Sequence, residues 1–407
     1  MAGVPLIDLR AQFDRIRDET VTAVRRVLES QRFILGEEVE ALERDIARLV
    51  GARHAVGCAS GSDAIMLAIA SVIPERGATP LAGSPGSLPA AHRSDAPEVV
   101  TVPFTFFASA GSVVHAGARP RFVDIQPDIY GMDPVQMASA IGPRTVAVLP
   151  VHLFGQPCDI DEIIAAAGHV PVVEDAAQAI GAMYAGLARP SGAGPRSAGT
   201  MGRAGCLSFF PTKNLGGAGD GGMVLTSDDS LAERLFKLRV HGGLRMYQHE
   251  SVGWNSRLDE IQAAILRVKL PRLASWSQAR AARAAAYDAL FQESGLVARG
   301  LVTTPVSKPD RTHIFHQYVI RVPREAKAGG RDALRAHLSS LGIASGVYYP
   351  VPLHLQPCFR SLGHARGDFP VSERAAEEVL ALPIYPELGS DQQALVVRGI
   401  AEHFGLP

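Results

Sequence analysis

The sequence predicts an α/β fold built on a largely parallel sheet, and three observations carry that expectation. Short apolar runs of four to six residues recur at 99–102, 121–125, 145–150, 170–173, 205–210 and 222–226. Several are nearly continuous, as strands are when helices cover both faces. Helical stretches separate them, the alternation of an α/β domain. The chain is also large enough: 407 residues, 47% hydrophobic and 20% charged, supply a sizeable core and roughly two or three domains at about 150 residues each.

The first clear helix is signalled by Leu42, Ile46, Leu49 and Val50, which fall at i, i+4, i+7 and i+8, with Gly51 placed to cap it. After Ser60-Gly61-Ser62-Asp63 comes Ala64-Ile65-Met66-Leu67-Ala68-Ile69-Ala70, too apolar for a surface helix and therefore expected inside. The strand–helix alternation then runs to 226. From 256 a helix carries Leu258, Ile261, Ile265 and Val268 on one face. Pro271 interrupts it, and a second helix rich in alanine and arginine runs to about 290. In the last third, 316–322 and 343–349 read as strands around a helix at 332–341, a smaller α+β domain. The chain thus divides into an N-terminal segment with a large domain, 1–275, and a small C-terminal domain, 276–407. Two segments rich in Gly, Pro, Ser, Ala and Arg, 77–97 and 187–203, are expected to be surface loops.

Composition narrows the function. Forty basic residues against 41 acidic give a net charge of -1, with no basic run of five or more, so nucleic-acid binding is not expected. Cys58, Cys158, Cys206 and Cys358 are scattered without a CxxC pair. That excludes a zinc ribbon, and no metal ligands are singled out. Reduced, mostly buried thiols in a cytoplasmic protein are expected. Residues 1–10 do not read as a signal peptide, and no apolar run approaches the roughly 20 residues that span a bilayer.

The chemistry centres on Ser208-Phe209-Phe210-Pro211-Thr212-Lys213-Asn214-Leu215-Gly216-Gly217. A lysine just after a buried strand, in a loop with little bulk, can be desolvated. Burial then disfavours the ammonium form and exposes a nucleophilic amine, as a Schiff base with an aldehyde cofactor requires. Alone, such a lysine is more often a solvated loop residue. This one has company. Val172-Val173-Glu174-Asp175 sets a carboxylate at the C-terminal end of an apolar strand, where ligand sites of α/β folds lie. Asp175 could pair with a protonated pyridine nitrogen, or simply cap the next segment. Ser62 and Asp63 open the buried helix with backbone N–H groups suited to a phosphate. Phe106, in Thr105-Phe106-Phe107, offers a face for stacking, or a core side chain. Gly217, Gly219 and Gly222 satisfy G-x-G-x-x-G, but 223–226 reads as a strand where the dinucleotide fingerprint needs a helix.

Taken in order, these pieces resemble the DegT/DnrJ/EryC1/StrS family of nucleotide-sugar aminotransferases. The resemblance runs almost end to end. It includes Pro5-Leu6-Ile7-Asp8-Leu9, Phe33-Ile34-Leu35-Gly36, Ala59-Ser60-Gly61-Ser62-Asp63-Ala64 and Val151-His152-Leu153-Phe154-Gly155-Gln156-Pro157. It continues through Glu174-Asp175-Ala176-Ala177-Gln178, the block 208–222, Asn255-Ser256-Arg257-Leu258-Asp259, Tyr348-Tyr349-Pro350 and Leu353-His354. The resemblance implies a pyridoxal 5'-phosphate (PLP) enzyme of fold type I, aspartate-aminotransferase-like, acting as a homodimer with active sites at the subunit interface. Lys213 would form the Schiff base and move protons. Asp175 would bind the pyridine nitrogen, Gln178 would sit near the phenolic oxygen, and Phe106 would stack on the ring. The backbone at Ser62 and Asp63 with the Ser208 hydroxyl would hold the phosphate, joined by Asn255 from the partner subunit. The segments 77–97 and 187–203 are longer than their counterparts in the family.

The implied reaction is a ping-pong transamination from L-glutamate to a keto-sugar linked to a nucleoside diphosphate. Gly61-Ser62-Asp63-Ala64 is closer to the 3-keto-sugar branch than to the Gly-Thr-Ala of many 4-aminotransferases, which favours C-3. His316, Tyr349 and His354 are candidate sugar contacts, although core roles suit both histidines. A 4-keto-sugar aminotransferase is the near alternative. A sugar 3-dehydratase of this fold would carry histidine in place of Lys213. A non-catalytic PLP-binding regulator is the alternative of another class, with no helix-turn-helix segment ahead of the catalytic region to support it.

Overall fold

The computed structural model describes residues 3–73, 95–186, 194–245, 247–326 and 329–406. Its helix Glu37–Val50 buries Val39, Leu42, Glu43, Ile46, Ala47 and Val50, and ends at Gly51 with φ 78°, a left-handed cap. Leu49, expected in that stripe, is 51% exposed. At 3.6 residues per turn the buried arc centres on Val39, Ile46 and Val50, and Leu49 falls past its edge. The helix Gly61–Val72 buries every residue from Ala64 to Ser71, as its composition requires.

The central sheet joins two runs of strands. His54–Cys58, Gly222–Thr226, Ala204–Ser208 and Val173–Asp175 lie side by side in that order, as do Arg119–Phe122, Glu98–Thr101 and Thr145–Val148. Parallel bridges Val148↔Val172 and Val151↔Asp175 connect the runs. All pairings are parallel except the two made by Gly222–Thr226. The C-terminal ends of the parallel strands therefore share one edge of the sheet, where the ligand crevice of an open α/β sheet lies.

Several expectations are corrected. His54–Cys58 is a strand that the pattern reading omitted, and the strand expected at 170–173 forms at Val173–Asp175. Residues 256–259 are not helical: the helix is Glu260–Lys269, with the Asp259 side chain accepting from the Gln262 amide at 2.8 Å. Residues 343–349 form no strand. Ile343 bridges Val4 while Gly346 bridges Ala381, so the stretch changes partner before a ladder can grow. The strand that does pair with Tyr318–Arg321, in antiparallel fashion, is Val379–Leu382.

Residues 77–94 and 187–193 of the expected loops lie outside the described residues. The remainder of the second loop is not a surface excursion. Arg196–Ser197 pairs with Met183–Tyr184, and Ala198 is fully buried. The division between 275 and 276 falls within the first turn of the helix Leu273–Glu293. Ala284, Tyr287 and Phe291 of that helix pack with Tyr318, Leu334, Leu380 and Val396 in a second core, which Val4 of the N-terminal segment also joins. Among the described residues no helix is long and apolar enough to cross a membrane.

Candidate active site

At the shared edge, the end of Val173–Asp175 faces the start of Gly61–Val72 and the loop after Ala204–Ser208. Asp175 is buried. Its Oδ2 accepts a hydrogen bond from Ser109 Oγ at 2.7 Å, and its Oδ1 accepts from the Ala177 amide at 3.2 Å. Burial pushes the carboxyl pKa upward, while those two hydrogen bonds and the Lys213 charge pull it back. Lys213 stands in the turn after Phe210, whose carbonyl accepts from the Lys213 amide at 2.8 Å. Its side chain remains partly accessible, yet surrounding protein lowers its pKa to about 8, and the Asp175 charge opposes that shift. The sequence-level argument for desolvation holds at this residue.

The helix start forms a cradle. The first intrahelical bond runs from the Ala64 amide to the Ser60 carbonyl at 2.9 Å, leaving the Gly61 and Ser62 amides ahead of it. The Asp63 amide is different: Ser60 Oγ caps it at 3.1 Å. Its carboxylate accepts from Ser256 Oγ at 2.7 Å, which ties the segment bearing Asn255 to this helix. Ser208 packs directly over Gly61, where an added Cβ would stand 2.5 Å from Ser208 Cβ and 2.8 Å from its Oγ. Only glycine permits that approach.

Gln178 is oriented from both ends. Its Oε1 accepts from the Phe154 amide at 2.7 Å, so its Nε2 points to Tyr349 and donates to the phenol oxygen at 3.0 Å. Burial raises the Tyr349 pKa, keeping the phenol protonated and able to donate in turn. Phe106 lies 5.9 Å from the Tyr349 ring, centroid to centroid, and is 55% exposed, so it presents a face rather than filling the core.

His316 is buried with Nδ1 3.3 Å from Asn214 Oδ1. Burial, with the nearby charges of Lys213 and Arg280, holds it well below the usual imidazole range, and so neutral. His354 is not drawn to this group. Its Nε2 meets Glu373 at 3.1 Å, and its ring packs on Phe369 at 4.7 Å. Glu373 lies on the helix Pro370–Glu378. Asn255 is exposed, its backbone bridged to Val240.

Sequence reasoning missed four residues. Thr105 and Ser109 back Asp175, with their hydroxyls 2.9 Å apart. Glu174, fully buried, accepts from the Gly199, Met201 and Gly202 amides at 2.8, 2.6 and 2.6 Å and meets His152 Nε2 at 2.8 Å. His152 Nδ1 accepts from the Cys158 amide at 3.1 Å, so the ring is the neutral tautomer that donates to Glu174. Only the adjacency of Glu174 to Asp175 could have signalled this. Among the described residues no cluster of three or more His, Cys, Asp or Glu is arranged to hold a metal ion.

These residues fit PLP. The Gly61 and Ser62 amides and the Ser208 hydroxyl meet at a helix start suited to a phosphate. Lys213 offers an amine whose pKa is lowered to about 8, and Asp175 is a buried carboxylate near enough for its charge to act on that amine. The bound cofactor would supply an electron sink for charge developing on a substrate carbon. With a lysine and a buried aspartate at the ends of its sheet strands, the fold is that of the PLP-dependent aminotransferases of fold type I, and the chain is one of them.

The chain belongs to the DegT/DnrJ/EryC1/StrS aminotransferase family, whose model matches residues 14–401. It is 46% identical over 404 residues to a protein of Geobacillus stearothermophilus named "Pleiotropic regulatory protein", with 99% of each chain covered. It is 41% identical over 404 residues to the UDP-N-acetyl-3-dehydro-alpha-D-glucosamine 3-aminotransferase of Acidithiobacillus ferrooxidans, covering 98% of this chain and 97% of the relative. Among solved structures, that of S. venezuelae DesV in complex with a ketimine intermediate matches with a TM-score of 0.85 and 40% identity, covering 99% of this chain and 98% of that one.

Proposed function

We propose that the protein transfers the amino group of L-glutamate to C-3 of a nucleoside-diphosphate 3-keto-sugar. The observation that carries this reading is near-full-length similarity to a 3-aminotransferase of a 3-keto UDP-sugar. Gly61-Ser62-Asp63-Ala64 at the helix start supports the same branch.

In this reading Lys213 binds the cofactor and, as a free amine with a pKa near 8, takes and returns protons at substrate carbon. Asp175 faces the ring nitrogen as an anion. The Gln178 amide donates toward the phenolic oxygen, and Phe106 covers the ring. Ser208 and the Ser62 amide hold the phosphate. Asp63 contributes through its carboxylate bond to Ser256 rather than through its capped amide. Asn255, exposed on its own chain, reaches the phosphate of a partner subunit in a homodimer. Tyr349 and neutral His316 contact the sugar, and His354 has no part.

The test loads the protein with PLP and L-glutamate and offers nucleotide-linked 3-keto and 4-keto sugars, with NMR locating the new amine. A C–N bond at C-3 is expected, and amination confined to C-4 would overturn the regiochemistry. A regulatory role is the second reading, favoured by the name of the Geobacillus relative. It would be adopted if cofactor bound normally but no sugar was aminated.

A further inference from the structure

Asp175 is held from behind by side chains to which the family resemblance assigned no role. Ser109, on the helix Ala108–His115, is fully buried and donates to Asp175 Oδ2 at 2.7 Å. A hydroxyl carries one proton, and Ser109 has spent it on the carboxylate. The 2.9 Å contact between Ser109 Oγ and Thr105 Oγ1 must therefore run the other way, with Thr105 donating to Ser109. Thr105 is 2% exposed, so water does not compete for its hydroxyl. The result is a directed chain, Thr105 to Ser109 to Asp175, ending on a negative charge. Hydrogen bonds to an ionised acceptor are about twice as strong as neutral ones, and each polarises the next in a low-dielectric interior.

The geometry assigns Thr105 and Ser109 as positioning residues, a two-hydroxyl relay that holds the Asp175 carboxylate as an oriented anion. The inference rests on the reading of Asp175 as the partner of the cofactor's ring nitrogen. Other groups facing Asp175 are Lys213, His152, Cys206 and Tyr349. Of these Lys213 favours the anion, and any positive charge on His152 would do so to a smaller extent than the Ser109 bond, while Cys206 and Tyr349 supply no compensating positive charge. Ser109 is therefore the strongest local support for the charge. Removing it should let the carboxyl hold its proton to higher pH and let its orientation relax.

The test uses the PLP-loaded enzyme with Ser109→Ala, the near-isosteric Thr105→Val, the double variant and Asp175→Asn. Ser109→Ala should lower kcat on the order of ten- to a hundredfold, with KM for glutamate changed less, and move the acidic limb of the kcat profile upward in pH. Thr105→Val should do the same about threefold to tenfold, because it removes only the second hydroxyl. The double variant should be no slower than Ser109→Ala, since Thr105 acts only through Ser109. With cofactor labelled with ¹⁵N at the ring nitrogen, NMR should show the nitrogen less protonated in Ser109→Ala, independent of turnover.

Independent, additive losses from the two substitutions, or an unmoved acidic limb and ring-nitrogen signal, would overturn the relay. If Ser109→Ala does not fold, Thr105→Val and the nitrogen signal decide alone. Asp175→Asn separates the two levels. A variant with near-normal rate removes the underlying reading of Asp175, whereas a crippled Asp175→Asn beside an unaffected Ser109→Ala removes the relay only.

Discussion

Two pockets flank the end of the strand Val173–Asp175, and each holds a buried carboxylate in a different way. Glu174 enters the back pocket, where three backbone amides and the His152 ring saturate both of its oxygens. Asp175, pointing to the opposite face as neighbours in a strand do, enters the front pocket, where one oxygen has a short bond to Ser109 and the other a longer one to an amide. A buried charge is costly unless it is matched. In the back pocket the match is complete and ties the turn 199–202 to the sheet. In the front pocket the match includes Lys213 and leaves capacity for a ligand. Saturation suits a structural acid, and residual capacity suits the role proposed for Asp175.

The largest effect that would sharpen this contrast is expected from Lys213→Ala. It should abolish turnover and the visible absorbance of lysine-bound cofactor, and colour with activity intact would break the front-pocket assignment. Next come the two carboxylates exchanged for amides. Asp175→Asn should lose roughly a thousandfold in rate, the scale of an electrostatic contact to the reacting system, with little change in thermal unfolding. Glu174→Gln should do the reverse. Whichever oxygen becomes NH₂ meets donors already in place, costing about 3 kcal/mol of stability while folded protein keeps most of its rate. Calorimetry and kcat on the same preparations test the pair, and Glu174→Gln behaving like Asp175→Asn would erase the distinction.

A smaller effect is expected at the cradle. Gly61→Ala forces Ser208 to move and should weaken cofactor binding on the order of tenfold, measured by fluorescence titration. Unchanged affinity would mean that Ser208 can give way without loss. The smallest effect is a pH midpoint. Cofactor uptake by the cofactor-free protein should rise with pH through about 8, as the Lys213 ammonium gives up its proton, and then level off. The Asp175 charge holds that proton on, so Asp175→Asn should move the midpoint down. A midpoint near 10.5, the ordinary value, would show that Lys213 is not desolvated.

Residues with local signals were legible. Lys213 follows an apolar strand and sits among glycines, and Asp175 ends another apolar run, so burial and position could be read from neighbours in the chain. Ser109 could not be read, because its partner lies 66 residues away and nothing near it in sequence differs from an ordinary helix. The same holds for the amides of 199–202, which resembled loop sequence because their acceptor is Glu174. The strand Val379–Leu382 escaped for another reason. The helix Pro370–Glu378 runs directly into it with no glycine, proline or other turn residue between, so the change of period has no punctuation. His354 shows the converse, since a motif position alone did not choose between a sugar contact and the hydrogen-bonding role that its 3.1 Å approach to Glu373 supports.

The antiparallel strand Gly222–Thr226 of the central sheet has a mechanical consequence for Lys213. Ser208 and Gly222 are direct partners in the ladder, so residues 209–221 leave the sheet and return to it at one point. The lysine rides on a closed noose rather than on a crossover between distant strands. Its position is set by that closed loop and by the helix Glu260–Lys269, where Gln262 Oε1 accepts from the Ala218 amide at 2.7 Å and Lys269 donates to the Gly216 carbonyl at 2.6 Å. A single proteolytic cut between Phe210 and Lys213 would leave the ladder paired on both sides while loosening the segment that carries the amine.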